Sequence, residues 1–327
     1  MRYWKTILAC LGFTIIGLSA GTWWAGRSET RLFSQIRQIR VNNKDYKFIQ
    51  PLLAVEFPES MQFREYTSLE NKIQDRISTL QRDQKAQEVA VYFRDLRNGH
   101  WVGINENDTF APASLLKLPV LIAYLKQAES EPEILKKKLL YAENSLSNIE
   151  ENQQEHMLIS GREYTVEELL ANMIIYSDNN GFALLMNAID RKELLEVFTD
   201  LGIQYPGQND SNNYFISAKT YSLFFRILRN ATILNREASE VALQLLNQTT
   251  FNEGLVAGVP RDVAIAHKFG IYSLKDQGRP EIGLHDCGII YVPETPYILC
   301  VMTRGNNLAN LKESIKEISG LVYSEVK

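Results

Sequence analysis

Strand-like segments stand at both ends of the main part of this chain, and helical segments lie between them. Two strands are predicted early, at Glu88–Asp95 and His100–Ile104, joined by a hairpin turn at Asn98-Gly99. Three more are predicted late, at Asp262–Ile271, Ile282–Val292 and Pro296–Thr303. We therefore predict an α+β fold of the α/β/α type, in which both ends of the chain share one five-stranded antiparallel sheet.

Helical patterns flank this sheet and fill the middle of the chain. The apolar spacing in Thr67–Gln84 and Leu308–Val326 predicts two amphipathic helices that cover one face of the sheet. The helices between the second and third strands are expected to form an all-helical lobe. One is predicted at Glu131–Leu140, because Ser130-Glu-Pro-Glu133 has the pattern of a capping box. Another begins at Thr165, which has the same pattern.

Composition excludes some classes of partner. The 327 residues carry a net charge of −4 and have a pI near 5.7, so no broad basic face is available for nucleic acid. The four histidines are scattered and form no Cys/His cluster with metal-ligand spacing. We therefore expect no nucleic-acid partner, no metal site and no cofactor. The sequence does not determine the oligomeric state.

The N-terminus predicts the compartment. An uncharged stretch of about 19 residues, Ile7–Ala25, follows Arg2 and Lys5 and is close to the ~20 residues that span a bilayer. We interpret residues 1–26 as a single-pass membrane anchor that holds the rest of the chain outside the cytoplasm. A cleaved signal peptide, with a secreted or periplasmic product, is the alternative. Residues 27–65 are predicted to be a juxtamembrane linker that tethers a catalytic domain at 66–327.

Three cysteines bear on the same question: Cys10, Cys287 and Cys300. The last two lie on either side of a turn at Pro293-Glu294, so they could face each other across a hairpin and form a disulfide in an oxidising compartment. Two buried apolar thiols are the favoured interpretation.

A serine and a lysine three residues apart stand at the head of a strongly apolar run, in Ser114-Leu-Leu-Lys117. Residues with this spacing share one face of a helix, which brings the hydroxyl within reach of the amine. A serine hydroxyl becomes a nucleophile when a base removes its proton, and a lysine kept neutral by its surroundings is such a base. Ser-x-x-Lys alone is common by chance, so its meaning depends on what accompanies it.

Two further elements follow in order, Ser177-Asp-Asn179 and Lys268-Phe-Gly270. The ordered set resembles the S-x-x-K, S-D-N and K-T-G motifs of class A β-lactamases and penicillin-binding proteins. The chain is similar to this class A β-lactamase-like serine hydrolase family from about residue 66 to its end. Stretches such as Tyr164–Leu170 and Gly254–Arg261 also look like the corresponding family segments.

The resemblance implies a role for each motif residue. Ser114 attacks a carbonyl carbon and becomes acylated, and Lys117 accepts its proton. Ser177 passes that proton to the leaving nitrogen, and Asn179 holds the Lys117 amine and the substrate amide. Lys268 supplies positive potential and supports Ser177.

Substrate contacts are expected around the last motif. The backbone N–H groups of Ser114 and Ile271 form the implied oxyanion hole. Lys268, Phe269 and Gly270 form the implied substrate-binding strand, where a glycine allows close approach of the substrate to the backbone. Phe269 stands where the family has threonine or serine, so a hydroxyl for the substrate carboxylate is missing.

A second departure concerns deacylation. The family's β-lactamases carry a loop glutamate that activates the water for this step, whereas the matching segment, Gly202–Phe215, has no glutamate. Its only acid is Asp210. We therefore expect an acyl-enzyme that forms more readily than it is hydrolysed.

Four functions follow from these patterns. The leading one is a membrane-anchored serine hydrolase acting on β-lactams or the related D-alanyl-D-alanine peptides. A slow penicillin-binding D,D-peptidase and a catalytically idle binding module of the cell envelope are the alternatives. A fourth hypothesis treats residues 27–65 as a docking arm for a partner in the membrane.

Overall fold

The computed structural model describes residues 47–48, 66–142, 158–205, 214–276 and 279–327. The predicted anchor and most of the predicted linker lie outside these residues. Within the described ranges, no helix combines the length and the apolar character that a membrane span requires.

The central sheet is built from both ends of the chain, as predicted. Its strands are β1 Glu88–Asp95, β2 Trp101–Ile104, β7 Ile265–Asp276, β8 Arg279–Ile290 and β9 Tyr297–Gly305. They run antiparallel in the order β2-β1-β9-β8-β7, so β7 lies at an edge. Two short pairs stand apart from this sheet, β3 Thr109–Phe110 with β6 Ile216–Ser217, and β4 Lys138–Leu140 with β5 Glu163–Thr165.

The helices divide between the two faces of the sheet. The described ones are α1 Thr67–Arg82, α2 Lys117–Ser130, α3 Val166–Ile175, α4 Asn179–Ala188, α5 Arg191–Asp200, α6 Ala218–Asn230, α7 Arg236–Asn247 and α8 Leu308–Val326. The terminal helices α1 and α8 bury their apolar stripes together on one face, in what we call the terminal-helix core. The lobe helices pack on the other face and form the main core.

Strand alternation separates the two cores. Successive side chains of a strand point to opposite faces, so Lys268 and Gly270 face the helical lobe while Phe269 belongs to the terminal-helix core. On β8, Cys287 lies directly beside Lys268 and shares its face. The functional motif of β7 therefore projects from the sheet toward the lobe.

Two predictions are corrected by the structure. The segment 131–140 is not one α-helix: α2 continues to Ser130, a 3₁₀ helix follows at Pro132–Lys136, and β4 begins at Lys138. Ser130 is thus the last residue of a helix rather than its cap. Cys287 and Cys300 are cross-strand partners joined in a disulfide, so the interpretation as two free thiols is wrong.

Candidate active site

Ser114 lies where an irregular turn becomes a helix. The 3₁₀ helix Ala113–Leu116 leads without interruption into α2, whose first residue is Lys117. Ala113 adopts a left-handed conformation, with φ of 49°, which is uncommon for a residue with a side chain and typical of functional sites. As the sequence predicts, the hydroxyl and the amine meet: Lys117 Nζ donates to Ser114 Oγ at 3.0 Å.

The Lys117 amine is enclosed by the Ser177 motif. Only 1% of the lysine is exposed. Its Nζ donates to Asn179 Oδ1 at 2.7 Å and to the carbonyl oxygen of Ser177, and it lies within hydrogen-bond distance of Ser177 Oγ, at 3.1 Å. Burial lowers the pKa of Lys117 to about 7, and the nearby Asp178 carboxylate opposes this shift only in part. A substantial fraction of the amine is therefore neutral at neutral pH and able to accept a proton.

A helix break aims the Ser177 motif at this amine. Helix α3 ends at Ile175, and Ser177 takes the left-handed conformation, with φ of 57°. Asp178 then caps α4 by accepting a hydrogen bond from Gly181 N at 2.5 Å. As a result, the Ser177 hydroxyl, its carbonyl group and the Asn179 amide all point toward Lys117.

Lys268 reaches the same serine from β7. It is completely buried, and its Nζ donates to Ser177 Oγ and to the Phe269 carbonyl oxygen, both at 2.9 Å. Burial holds the pKa of Lys268 well below its ordinary value, and the neighbouring Lys117 acts in the same direction. The Ser177 hydroxyl therefore lies between two lysine amines, which suits it to relay a proton.

The edge of β7 lies against the nucleophile segment. A Cβ atom at Gly270 would stand 2.7 Å from the Pro112 carbonyl oxygen and 3.2 Å from Leu115 N, so only glycine allows this approach. The Phe269 carbonyl group points to the free edge of β7, where the Lys268 amine donates a hydrogen bond to it. Since backbone groups alternate along a strand, we expect the N–H of Ile271 to point to the same edge, where an oxyanion hole needs it.

One hydrogen-bond network connects five side chains from distant parts of the chain, those of Ser114, Lys117, Ser177, Asn179 and Lys268. The sequence model of the beta-lactamase enzyme family matches residues 68–326. The chain belongs to the beta-lactamase enzyme family. It is a serine β-lactamase-like hydrolase, as the ordered motifs predict.

Solved structures of the family share the fold. A PBP-A mutant in its acyl-enzyme complex with penicillin G is 22% identical, with a TM-score of 0.66, over 82% of this chain and 98% of that chain. A beta-lactamase from Chitinophaga pinensis is 21% identical, with a TM-score of 0.68, over 79% and 100%. A class A beta-lactamase from Mycobacterium abscessus is 21% identical, with a TM-score of 0.66, over 77% and 98%. No curated protein sequence matches this chain.

The departure from the β-lactamase motif at Phe269 has a structural explanation. The Phe269 ring is 6% exposed and stacks on Phe251 with 4.2 Å between the ring centroids, inside the terminal-helix core. The ring also lies 4.2 Å from Lys268 Nζ, and because it carries no polar group, only the Phe269 backbone can offer a substrate a hydrogen bond. The hydroxyl of Tyr272, further along β7, accepts a hydrogen bond from Arg304 Nε at 3.2 Å and lies 3.5 Å from Glu281 Oε1.

A buried histidine that the sequence analysis did not single out supports the nucleophile segment. His285 lies beside Gly270 on β8, and its Nδ1 accepts a hydrogen bond from Thr303 N at 3.3 Å. Its Nε2 therefore carries the proton and donates to the Ala111 carbonyl oxygen at 3.0 Å. Burial lowers the pKa of His285 to about 4, so the ring stays neutral.

A second buried pair holds the other face of the strand. His267 Nδ1 lies 2.8 Å from Asp286 Oδ1, and Asp286 Oδ2 accepts a hydrogen bond from Leu255 N at 3.0 Å. His267 directly precedes Lys268, so this pair supports the catalytic strand from behind. The sequence offers one signal for this pair, the position of His267 directly before Lys268. Its partner Asp286 comes close only through the pairing of β7 with β8, which a local pattern does not reveal.

Proposed function

We propose that this protein is an acyl-transferring serine enzyme that is acylated at Ser114 by β-lactams and by D-alanyl-D-alanine peptides. The observation that carries the proposal is the buried amine of Lys117, which lies 3.0 Å from Ser114 Oγ and has its pKa lowered to about 7. A base with a pKa near the working pH combines the right protonation state with a strong pull on the proton.

The acylation step follows from the contacts. Neutral Lys117 takes the Ser114 proton as Oγ bonds to the carbonyl carbon, and the N–H groups of Ser114 and Ile271 stabilise the oxyanion. When the carbon–nitrogen bond breaks, the leaving nitrogen takes the Ser177 hydroxyl proton. The protonated Lys117 amine, 3.1 Å away, replaces it. The step ends with an ester at Ser114 and Lys117 neutral again.

Deacylation is proposed to be slow, which favours a penicillin-binding D,D-peptidase over an efficient β-lactamase. The support is chemical: residues 202–205 and 214–215 hold no carboxylate, and Asp210 falls outside the described residues. Without a base to activate water, the ester persists. The PBP-A relative, whose mutant was solved as a penicillin G acyl-enzyme, is consistent with a long-lived adduct in this fold.

Intact-mass spectrometry of the full chain with penicillin G tests the proposal. We expect one penicilloyl adduct that forms within minutes and decays over hours. Ser114→Ala should abolish it, whereas Ser130→Ala, at an exposed serine at the end of α2, should leave it unchanged. An adduct that persists in Ser114→Ala would contradict the assignment of the nucleophile. Rapid turnover of a chromogenic cephalosporin would contradict slow deacylation.

An idle binding module is the second candidate, and the burial of Phe269 favours it, because the strand then offers no side-chain hydroxyl to a substrate carboxylate. The two candidates separate in Lys117→Ala. If wild-type acylation is measurable and falls in that variant, the module is an enzyme. If neither protein is acylated but a D-alanyl-D-alanine peptide still binds, the idle module is supported.

The membrane anchor remains a proposal, supported by the uncharged stretch Ile7–Ala25. We expect the full chain, expressed in a bacterium, to sediment with membranes and to resist extraction by salt. Removal of residues 1–26 should release it. A shortened mature chain in the soluble fraction would instead support the signal-peptide alternative.

A further inference from the structure

A phenylalanine upstream of the hydrolase domain is buried in the domain. Phe48 is only 4% exposed and belongs to the main core. Its ring meets the Tyr291 ring edge-on, with 5.1 Å between centroids. The Lys47 amine lies 5.1 Å from the centre of the same ring. The side chain therefore occupies a fitted apolar site rather than resting on the surface.

The backbone around this ring is bound as specifically as the side chain. The Glu240 carboxylate accepts hydrogen bonds from Lys47 N at 3.1 Å and from Phe48 N at 2.9 Å. On the other side, the Phe48 carbonyl oxygen accepts bonds from Arg229 Nη1 and from Tyr291 Oη, the latter at 3.3 Å. Donors and acceptors of the domain thus match the main-chain groups of this dipeptide in one direction.

The two charged groups are what make this a built site. Glu240 and Arg229 are each 7% exposed, and burying a charge is costly unless hydrogen bonds compensate it. Each uses part of its hydrogen-bonding capacity on main-chain atoms of Phe48. A surface that had merely been covered by a passing segment would not place a carboxylate and a guanidinium at these two positions.

We propose that Glu240, Arg229 and Tyr291 form a peptide-binding site whose resident ligand is this chain's own Lys47–Phe48. The ligand class is a peptide with an aromatic side chain, bound in a bend at Lys47–Phe48. The site fixes the N-terminal segment to the end of α6 and to α7, independently of the proposed acylation. We call it the Phe48 site.

The Phe48 site is separate from the catalytic network. Tyr291 directly follows β8 and lies four residues beyond Cys287, which is the strand partner of Lys268. At about 3.3 Å per strand residue, this places the two sites roughly 13 Å apart along the strand. Acylation of Ser114 is therefore expected to be unchanged when the Phe48 site is emptied.

A peptide-binding experiment on the full chain tests the proposal directly. Phe48→Ala removes the resident ring and weakens docking of the chain's own segment, so a synthetic peptide of residues 44–52 should bind this variant. We expect binding to the wild-type chain to be at least tenfold weaker, because the resident segment competes at a high effective concentration. A peptide with alanine at position 48 is the control and should not bind. Equal affinity for both chains, or no binding to either, would overturn the proposal.

Hydrogen exchange gives an independent readout. In the wild-type chain, the amides of Lys47 and Phe48 should exchange at least tenfold more slowly than in an unstructured peptide. Glu240→Gln should remove this protection, and Glu237→Gln, at an exposed carboxylate of the same helix, should keep it. Amides of β7 report folding and should be unaffected in both variants. Unprotected amides at residues 47 and 48 in the wild type would refute the site even if the peptide binds.

Discussion

At the scale of single residues, the chemistry depends on the protonation of Lys117. Its pKa of about 7 makes the amine a base above that pH and an ammonium ion below it. We therefore expect the rate of acylation by penicillin to rise about tenfold per unit at acidic pH and to level off above about pH 7.5. Stopped-flow or quenched intact-mass measurements between pH 5.5 and 8.5 provide the profile.

Substitutions of Lys117 show whether this residue acts as a base or only through its positive charge. Lys117→Arg keeps a cation but cannot lose its proton, so we expect a loss of acylation of roughly 10²–10⁴-fold, similar to that in Lys117→Ala. Lys192→Ala, at an exposed lysine on α5, is the control. Acylation by Lys117→Arg within threefold of the wild type would show that residue 117 acts electrostatically.

The same residue makes stability depend on pH. Folding lowers the pKa of Lys117 from 10.5 to about 7, so between these values the unfolded chain binds one more proton. The destabilisation is complete below the folded pKa and disappears as the pH rises toward 10.5. The free energy of unfolding should therefore rise between pH 7.5 and 9.5 by about 1.4 kcal/mol per unit more steeply than in Lys117→Met. Urea unfolding at several pH values measures this, and parallel slopes would refute the buried neutral amine.

The sequence could predict which residues meet, but not how deeply they are buried. The pair Ser114 and Lys117 follows from helix geometry, since it needs only three residues of local structure. From the sequence alone, a lysine in a strand, such as Lys268, is expected to be exposed to solvent. Its complete burial results from the register of β7 with β8 and from the lobe helices above it. Such long-range packing leaves no local signal.

At the scale of elements, the break between α3 and α4 positions the Asn179 amide. Asp178 caps α4 and so fixes the direction of Asn179, the first residue of that helix. We expect Asp178→Ala to cost about 1 kcal/mol of stability and to reduce acylation at least tenfold. Asp190 caps α5 in the same way. Asp190→Ala should cost similar stability with acylation unchanged, as measured by thermal unfolding and adduct formation. An equal effect of both variants on acylation would mean that the cap acts only through stability.

Elements with their own periodicity were predictable, and those made by distant partners were not. Helix α8 begins and ends where its apolar stripe predicts. The incorrect prediction of a helix at 131–140 arose because Ser130 and Glu133 have the spacing of a capping box. Part of this segment instead forms β4, which pairs with β5 across a long connection. Docking of Phe48 also depends on partners far along the chain, Arg229, Glu240 and Tyr291. From the sequence, residues 27–65 are predicted only to be a tether or a docking arm for a membrane partner.

At the scale of the whole molecule, the hydrogen-bond network around Ser114 draws on both ends of the domain. The nucleophile lies early in the chain, and Lys268 comes from an edge strand formed near its end. Because β9 pairs with both β1 and β8, β7 and β8 join the N-terminal strands only through β9. A chain that lacks its last strands therefore lacks the catalytic lysine in its correct position as well as part of its core.

The Phe48 site and the proposed anchor together limit how far the domain extends from a membrane. With Phe48 docked, about 20 residues (27–46) would connect the proposed anchor to the domain. With it released, the connection is about 39 residues (27–65), and the maximum reach rises from about 70 to about 130 Å. In nanodiscs, energy transfer between a dye on an exposed residue of α8 and labelled lipids should fall in Phe48→Ala and Glu240→Gln. It should stay at the wild-type value in Glu237→Gln. Unchanged transfer in the first two variants would show that the docked segment does not set the reach, because a vacated site must lengthen the tether.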